Sequence, residues 1–124
     1  PDKVIWFHTA DRKVHPQEGI RRLIAKGPRL DSVVCYNDQI ALQVLRALEE
    51  KGLDCPEEIA VTGYDNSYLA STCRVPLTTV SHPQERLGEM AAELLLQLIR
   101  DGESVKETQI MIQPELIVRR SSGR

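Results

Sequence analysis

Short apolar runs alternate along this chain with longer amphipathic stretches, and that alternation constrains the fold more than any other feature. Residues 32–36 (SVVCY) form an apolar run that predicts a strand. Residues 38–51 follow at once, with Ala41, Val44, Leu45 and Leu48 on one helical stripe bordered by Ile40. The pattern recurs on both sides. Residues 4–7 (VIWF) predict a strand, 8–16 a polar loop, and 17–26 a helix with Ile20, Leu23 and Ile24 on one face. Residues 59–64 (IAVTGY) predict a third strand and 77–81 (LTTVS) a fourth. The polar stretch 65–74 between them predicts a loop with one helical turn near 68–70. The longest helix is expected over 83–100, with Leu87, Met90, Ala91, Leu94, Leu95 and Leu98 on one side. A helix between consecutive strands supplies the crossover that parallel pairing requires, so the fold class is α/β, a parallel sheet with flanking helices.

The punctuation agrees with these spans. Gly27-Pro28 stops the first helix, Gly52 ends the second as a left-handed cap, Pro83 suits the first position of the last helix, and Gly102 closes it. Asp38 is placed to accept N–H bonds where the second helix begins. The run 32–36 is apolar on both faces, which predicts an internal strand. Residues 108–119 read as β structure broken by Pro114, and 121–124 as an unstructured tail.

Composition closes several routes. At 124 residues the chain is one domain in size. Hydrophobic residues make up 41% and aromatics only 4%, so the core must be built from Leu, Ile, Val and Ala. A net charge of −2 leaves no basic footprint for nucleic acid, so any DNA contact lies outside these residues. Cys35, Cys55 and Cys73 are an odd number without a C-x-x-C pair, which argues against a disulfide framework and a zinc site and suits a reducing cytosol. No apolar stretch reaches membrane-span length, and no signal peptide shows at Pro1-Asp2-Lys3. The histidines lack metal-ligand spacing. The nucleophile elbow, the phosphate loop and the dinucleotide fingerprint are absent, so neither an enzyme nor a cofactor is expected.

In parallel sheets ligands bind beyond the carboxyl ends of the strands. The polar residues of interest fall there: His8, Thr9 and Asp11 after the first strand, Asn37 and Asp38 after the second, Asp65 and Asn66 after the third, His82 after the fourth. The two oxygens of Asp65 can accept from neighbouring hydroxyls, and the Asn37 amide both donates and accepts, a combination that suits a vicinal diol. Taken singly, Asn37 and Asp65 fit Asx-turns at strand exits equally well. On chemistry alone His82 fits better as a cap of the following helix than as a ligand contact. The charges at Arg21, Arg22, Lys26, Arg46, Glu49, Glu50 and Lys51 read as solvated helix faces.

Four spaced motifs then converge. Asn37-Asp38 opens a helix, Gly63-Tyr64-Asp65 ends a strand, Pro76-Leu77-Thr78-Thr79-Val80 precedes the long helix, and Pro114-Glu115-Leu116-Ile117-Val118-Arg119 closes the sequence. Over residues 30–122 the chain resembles the C-terminal part of the LacI/GalR repressors, and within them the arabinose-responsive repressors with a winged-helix DNA-binding domain. The resemblance implies the C-terminal portion of a periplasmic-binding-protein-like fold, two subdomains closing on a sugar. Residues 1–81 and 108–119 would belong mainly to the second subdomain, and helix 83–101 to the first. Asn37, Asp65 and His82 match the family's ligand positions. The implied function is sensing of a sugar effector, L-arabinose, in a cytoplasmic homodimeric repressor that meets DNA through a domain absent from this chain. A periplasmic sugar carrier and an α/β enzyme are the competing classes. The implied fragment would bind sugar weakly by itself and self-associate through Leu87, Leu94 and Leu98.

Overall fold

The computed structural model describes residues 16–25, 30–102 and 109–123. The strand expected at 4–7, the loop that follows it, and the Gly27-Pro28 stop lie outside them. The described order is α1 (Pro16–Ala25), β1 (Ser32–Val34), α2 (Asp38–Glu50), β2 (Ala60–Thr62), α3 (Tyr68–Thr72), β3 (Thr79–Ser81), α4 (Gln84–Asp101) and β4 (Glu115–Ile117). Among the described residues each expected element is found, with strands shorter than their apolar runs.

β1 and β2 pair in parallel, Val33 opposite Val61, with α2 as the crossover. β3 continues the parallel arrangement. Thr62 and Thr78 form a parallel bridge, and Gly63 N donates to Thr78 O at 2.9 Å. β4 returns antiparallel on β3, with Val80 opposite Leu116. The parallel sheet therefore carries an antiparallel strand. β1 stands at the edge of the described sheet, with Val34 83% and Tyr36 86% exposed. The internal position expected for this run is not met among the described residues.

The core lies between α2 and the sheet. Ala41, Val44, Ala47 and Leu48 from α2 meet Val61, Ile59, Leu77 and Ala70. The two alanines let the helix approach closely, and Leu45 and Ile40 border the buried stripe. Ile20 is the buried anchor of α1, flanked by Leu23 and Ile24. The salt bridge from Arg21 to Glu50 ties α1 to α2, and the bond from that guanidinium holds the Glu50 carboxyl below its usual range. This surface is thus ion-paired as well as solvated, since Arg46 also reaches Glu50 at 3.5 Å and Arg74 reaches Glu49 at 3.3 Å. α2 ends in a Schellman arrangement. Gly52 has φ +70°, and Leu53 N donates back to Leu48 O at 3.0 Å.

The C-terminal segment overturns the expectation of an unstructured tail. Ser121 is fully buried. Its Oγ accepts from Thr78 N at 2.8 Å and donates to Val61 O at 2.6 Å. Its carbonyl accepts from Val61 N at 2.9 Å, and its N–H donates to Pro76 O at 2.9 Å. A small polar residue thus fills the space where β2 and β3 begin and satisfies backbone groups that would otherwise be buried unpaired. Short, polar and glycine-ended, the sequence 120–123 carries no local sign of this burial.

α4 behaves in the opposite way. It is the longest helix and buries no residue, with Leu87 52%, Leu95 58% and Ile99 71% exposed. No described helix is long and apolar enough to cross a membrane.

Two outcomes follow from this packing. Ser121→Ala removes the hydroxyl from two buried backbone groups, and urea unfolding is expected to show a loss of about 2 kcal/mol. The second concerns Cys35, whose buried thiol is pushed up to about 12, first by burial and then by the Asp38 carboxylate. The folded value lies above the ordinary 9.0, so the stabilisation from keeping this thiol neutral is whole below 9.0. It is lost as pH climbs from there toward about 12. Wild type should lose more stability than Cys35→Ala between about pH 8 and about pH 10.5 in urea titrations, because only wild type carries a thiol that ionises on unfolding.

Candidate functional site

The exits of β1, β2 and β3 lie along one edge and are stitched together by backbone bonds. Asp38 N donates to Tyr64 O at 2.8 Å, which sets the start of α2 beside the exit of β2. Asp65 N donates to Val80 O at 3.0 Å, which sets that exit beside β3. The rings of Tyr64 and His82 stack with centroids 5.4 Å apart and planes at 26°. The structure therefore brings the loops carrying Asn37, Asp65 and His82 side by side. No described hydrogen bond or ion pair joins these three side chains to each other.

Asn37 is the N-cap of α2. Its backbone is extended, and its Oδ1 accepts from Ile40 N at 2.9 Å. The capping role expected of Asp38 belongs to Asn37. The carbonyl of Asn37 is committed to the helix, so what it can offer a ligand is chiefly the amide NH2. This narrows the donor-and-acceptor role that the sequence suggests.

Asp38 instead turns inward and is 1% exposed. Its Oδ1 accepts from Thr79 Oγ1 at 2.6 Å and its Oδ2 from Ser67 N at 2.7 Å. In the first turn of α2, its charge also meets the positive end of the helix dipole. Gly63 faces this carboxylate so closely that a Cβ there would collide with Asp38 Oδ1 and lie 2.9 Å from Leu77 Cδ2. The glycine of the Gly63-Tyr64-Asp65 motif is therefore a packing requirement, set by its buried neighbour.

Asp65 is half-buried, and its carboxylate takes no hydrogen bond or ion pair among the described residues. Its φ is +101°, and that of Asn66 is +48°. Two successive non-glycine residues in this region store strain of about 1–3 kcal/mol each. Asn66 is fully engaged, with N donating to Thr79 Oγ1 at 3.2 Å, Nδ2 to Ser81 Oγ at 3.4 Å, and Oδ1 accepting from Arg119 Nη2 at 2.8 Å. The loop thus has one carboxamide that is tied down and one carboxylate that is left open.

His82 does not cap α4. Pro83 occupies the N-cap position without a side-chain cap bond. The imidazole lies on Tyr64 instead, with Nε2 3.1 Å from Gln84 Nε2 and with Nδ1 shielded from solvent and unpartnered among the described residues. A cleft of about 270 Å³ between Leu42, Leu45, Cys55 and Cys73 contains none of the three residues. It is a gap between α2 and the segment after α3, remote in chemistry from the strand exits. The described residues hold no group of three or more His, Cys, Asp or Glu that could bind a metal.

The sequence places Asn66 at a strand exit without a role, and Tyr64 and Arg119 stand in it only as parts of motifs. Tyr64 had a signal, an aromatic residue next to Asp65 at a strand exit. Asn66 also had one, because an adjacent Asx pair tolerates positive φ. Arg119 had none, since it reaches Asn66 only through the pairing of β3 and β4.

Residues 3–122 match the family described as the periplasmic binding protein-like domain. The chain is 35% identical to the arabinose metabolism transcriptional repressor of Halalkalibacterium halodurans, over 99% of this chain and 34% of that protein. It superposes on the lac repressor dimer bound to operator and the anti-inducer ONPF with a TM-score of 0.78 at 31% identity, over 86% of this chain and 37% of the other. The transcriptional regulator CelR–cellobiose complex gives 0.77 at 34% identity, over 86% and 32%. The chain spans about a third of the length of the curated repressor it matches. It belongs to the periplasmic binding protein-like family, as a fragment of the effector domain found in LacI-type regulators.

Proposed function

We propose that this chain is the sugar-sensing part of a bacterial transcriptional repressor and that its effector is L-arabinose. The observation that carries the reading is Asp65. A carboxylate without a described partner, held on strained backbone beyond the sheet, is an acceptor kept for a hydroxyl-rich ligand. The amide NH2 of Asn37 supplies a donor from the next strand exit, and His82 supplies a ring backed by Tyr64. Similarity to an arabinose metabolism repressor supports the choice of sugar, and a cellobiose complex among the solved relatives supports the ligand class.

Residues 1–81 and 108–119 form most of one subdomain in this reading, and helix 83–101 belongs to the other. The apolar, unburied face of α4 supports that division, because it awaits a wall supplied by chain outside this segment. Sugar bound between the walls favours one relative orientation of the two. In a cytoplasmic homodimer that preference changes the affinity of a separate domain for DNA, to the extent that sugar binds the two states unequally.

Titration calorimetry of the full-length protein with L-arabinose tests the site. Asp65→Ala is expected to weaken binding ~10-fold to ~100-fold, the worth of charge-assisted bonds to hydroxyls. Unchanged affinity in that variant defeats the assignment. At Asn37 the cap and the ligand role are separable. Asn37→Ser retains a cap acceptor and should leave the unfolding midpoint near wild type while weakening sugar binding, whereas Asn37→Ala should lose about 1 kcal/mol of stability as well. If Asn37→Ser binds L-arabinose as wild type does, Asn37 is a helix cap and nothing more.

A further inference from the structure

We infer that Asn66 and Arg119 are positioning residues for Asp65, and that Arg119 acts through Asn66 to set the direction in which the Asp65 carboxylate meets its ligand. The inference rests on Asp65 being the ligand contact proposed above. It starts from the backbone. Asp65 and Asn66 lie in succession at φ +101° and +48°, a conformation that side-chain-bearing residues avoid unless their surroundings impose it. Asp65 cannot impose it, since its side chain binds nothing among the described residues and only its N–H is anchored, on Val80 O.

Asn66 can impose it. Its backbone N–H and both ends of its amide are bonded, to Thr79, Ser81 and Arg119. Two of those partners lie on β3. The third crosses from the C-terminal segment and is itself held firmly. Arg119 Nη1 donates to Leu77 O at 2.9 Å while Nη2 serves Asn66, so one guanidinium spans a strand carbonyl and the loop. The backbone of Arg119 is fixed in turn, with its N–H donating to Thr78 Oγ1 at 2.8 Å and its carbonyl accepting from the same hydroxyl at 2.9 Å. The planar guanidinium makes these bonds from two nitrogens held in a fixed fork, whereas a lysine would have to serve both acceptors from a single nitrogen on a flexible stem. The strand exit is thereby braced from a position 53 residues away in sequence. A small error in carboxylate placement costs a disproportionate share of binding, because hydrogen bonds to a sugar demand direction as well as proximity.

The test separates aim from folding. Glycine accepts φ +48° freely, so Asn66→Gly keeps the turn and removes the brace. In the full-length protein, Asn66→Gly and Arg119→Met should each weaken L-arabinose binding ~10-fold, with an unfolding midpoint near wild type for Asn66→Gly and a lowered one for Arg119→Met, which also leaves Leu77 O without its donor. Hydrogen exchange at the Asp65 amide should quicken ~10-fold in both variants, while exchange at the Val61 amide stays as it was. Asn66→Asp retains the acceptor for Arg119 and should recover most of the affinity. The double variant Asn66→Gly with Arg119→Met should be no worse than either single one. Wild-type exchange at Asp65 in Asn66→Gly overturns the brace, and slow exchange lost equally at Asp65 and Val61 reduces it to a general fold contact. Should the wild-type protein ignore L-arabinose altogether, the choice of sugar fails, and the exchange measurements still decide the brace.

Discussion

Asp38 carries a charge into the interior, and the neighbouring loops are arranged around it. The carboxylate is 1% exposed and accepts a hydroxyl from β3 and a backbone N–H from the loop that leads into α3. A buried charge with one partner missing is strongly destabilising, so these acceptances are structural obligations. They join the start of α2, the exit of β2 and the body of β3 at one point. Gly63 follows from this, because only a residue without Cβ can pass so near the carboxylate. The bond from Asp38 N to Tyr64 O completes the junction from the backbone side.

The same junction explains why neighbouring polar residues have different fates. Asn37, Asp38, Asp65 and Asn66 are two Asx pairs at two strand exits. In each pair one member is consumed by the fold: Asp38 in the buried junction, Asn66 in the brace with Arg119 and Ser81. The other member is half-buried and keeps bonding capacity among the described residues, the NH2 of Asn37 and both oxygens of Asp65. α4 beside these exits buries none of its residues.

Periodicity made most of the secondary structure legible. The stripe of Ala41, Val44 and Leu48 and the cap at Gly52 follow from local rules, and both are found where those rules put them. The segment around Ser121 was not legible, because its burial depends on a gap between β2 and β3 that no nearby residue announces. The exposure of β1 was illegible for a related reason: an apolar run states that it wants neighbours, and cannot state which side they occupy.

For the site, the sequence by itself determined which residue types stand at the strand exits, since a strand followed directly by a helix leaves only one or two positions for them. Four spaced motifs also determined the family. Only the tertiary structure decided which member of each Asx pair turns inward, because that choice depends on Thr79, Ser67 and Arg119, which are distant in sequence and close in space. It likewise decided that His82 lies on Tyr64 and does not cap α4, a contact between two strand exits that no local pattern encodes. Hydrogen-bond donors and acceptors are chosen by proximity, and proximity across a sheet is set by pairing register, which only the assembled chain possesses.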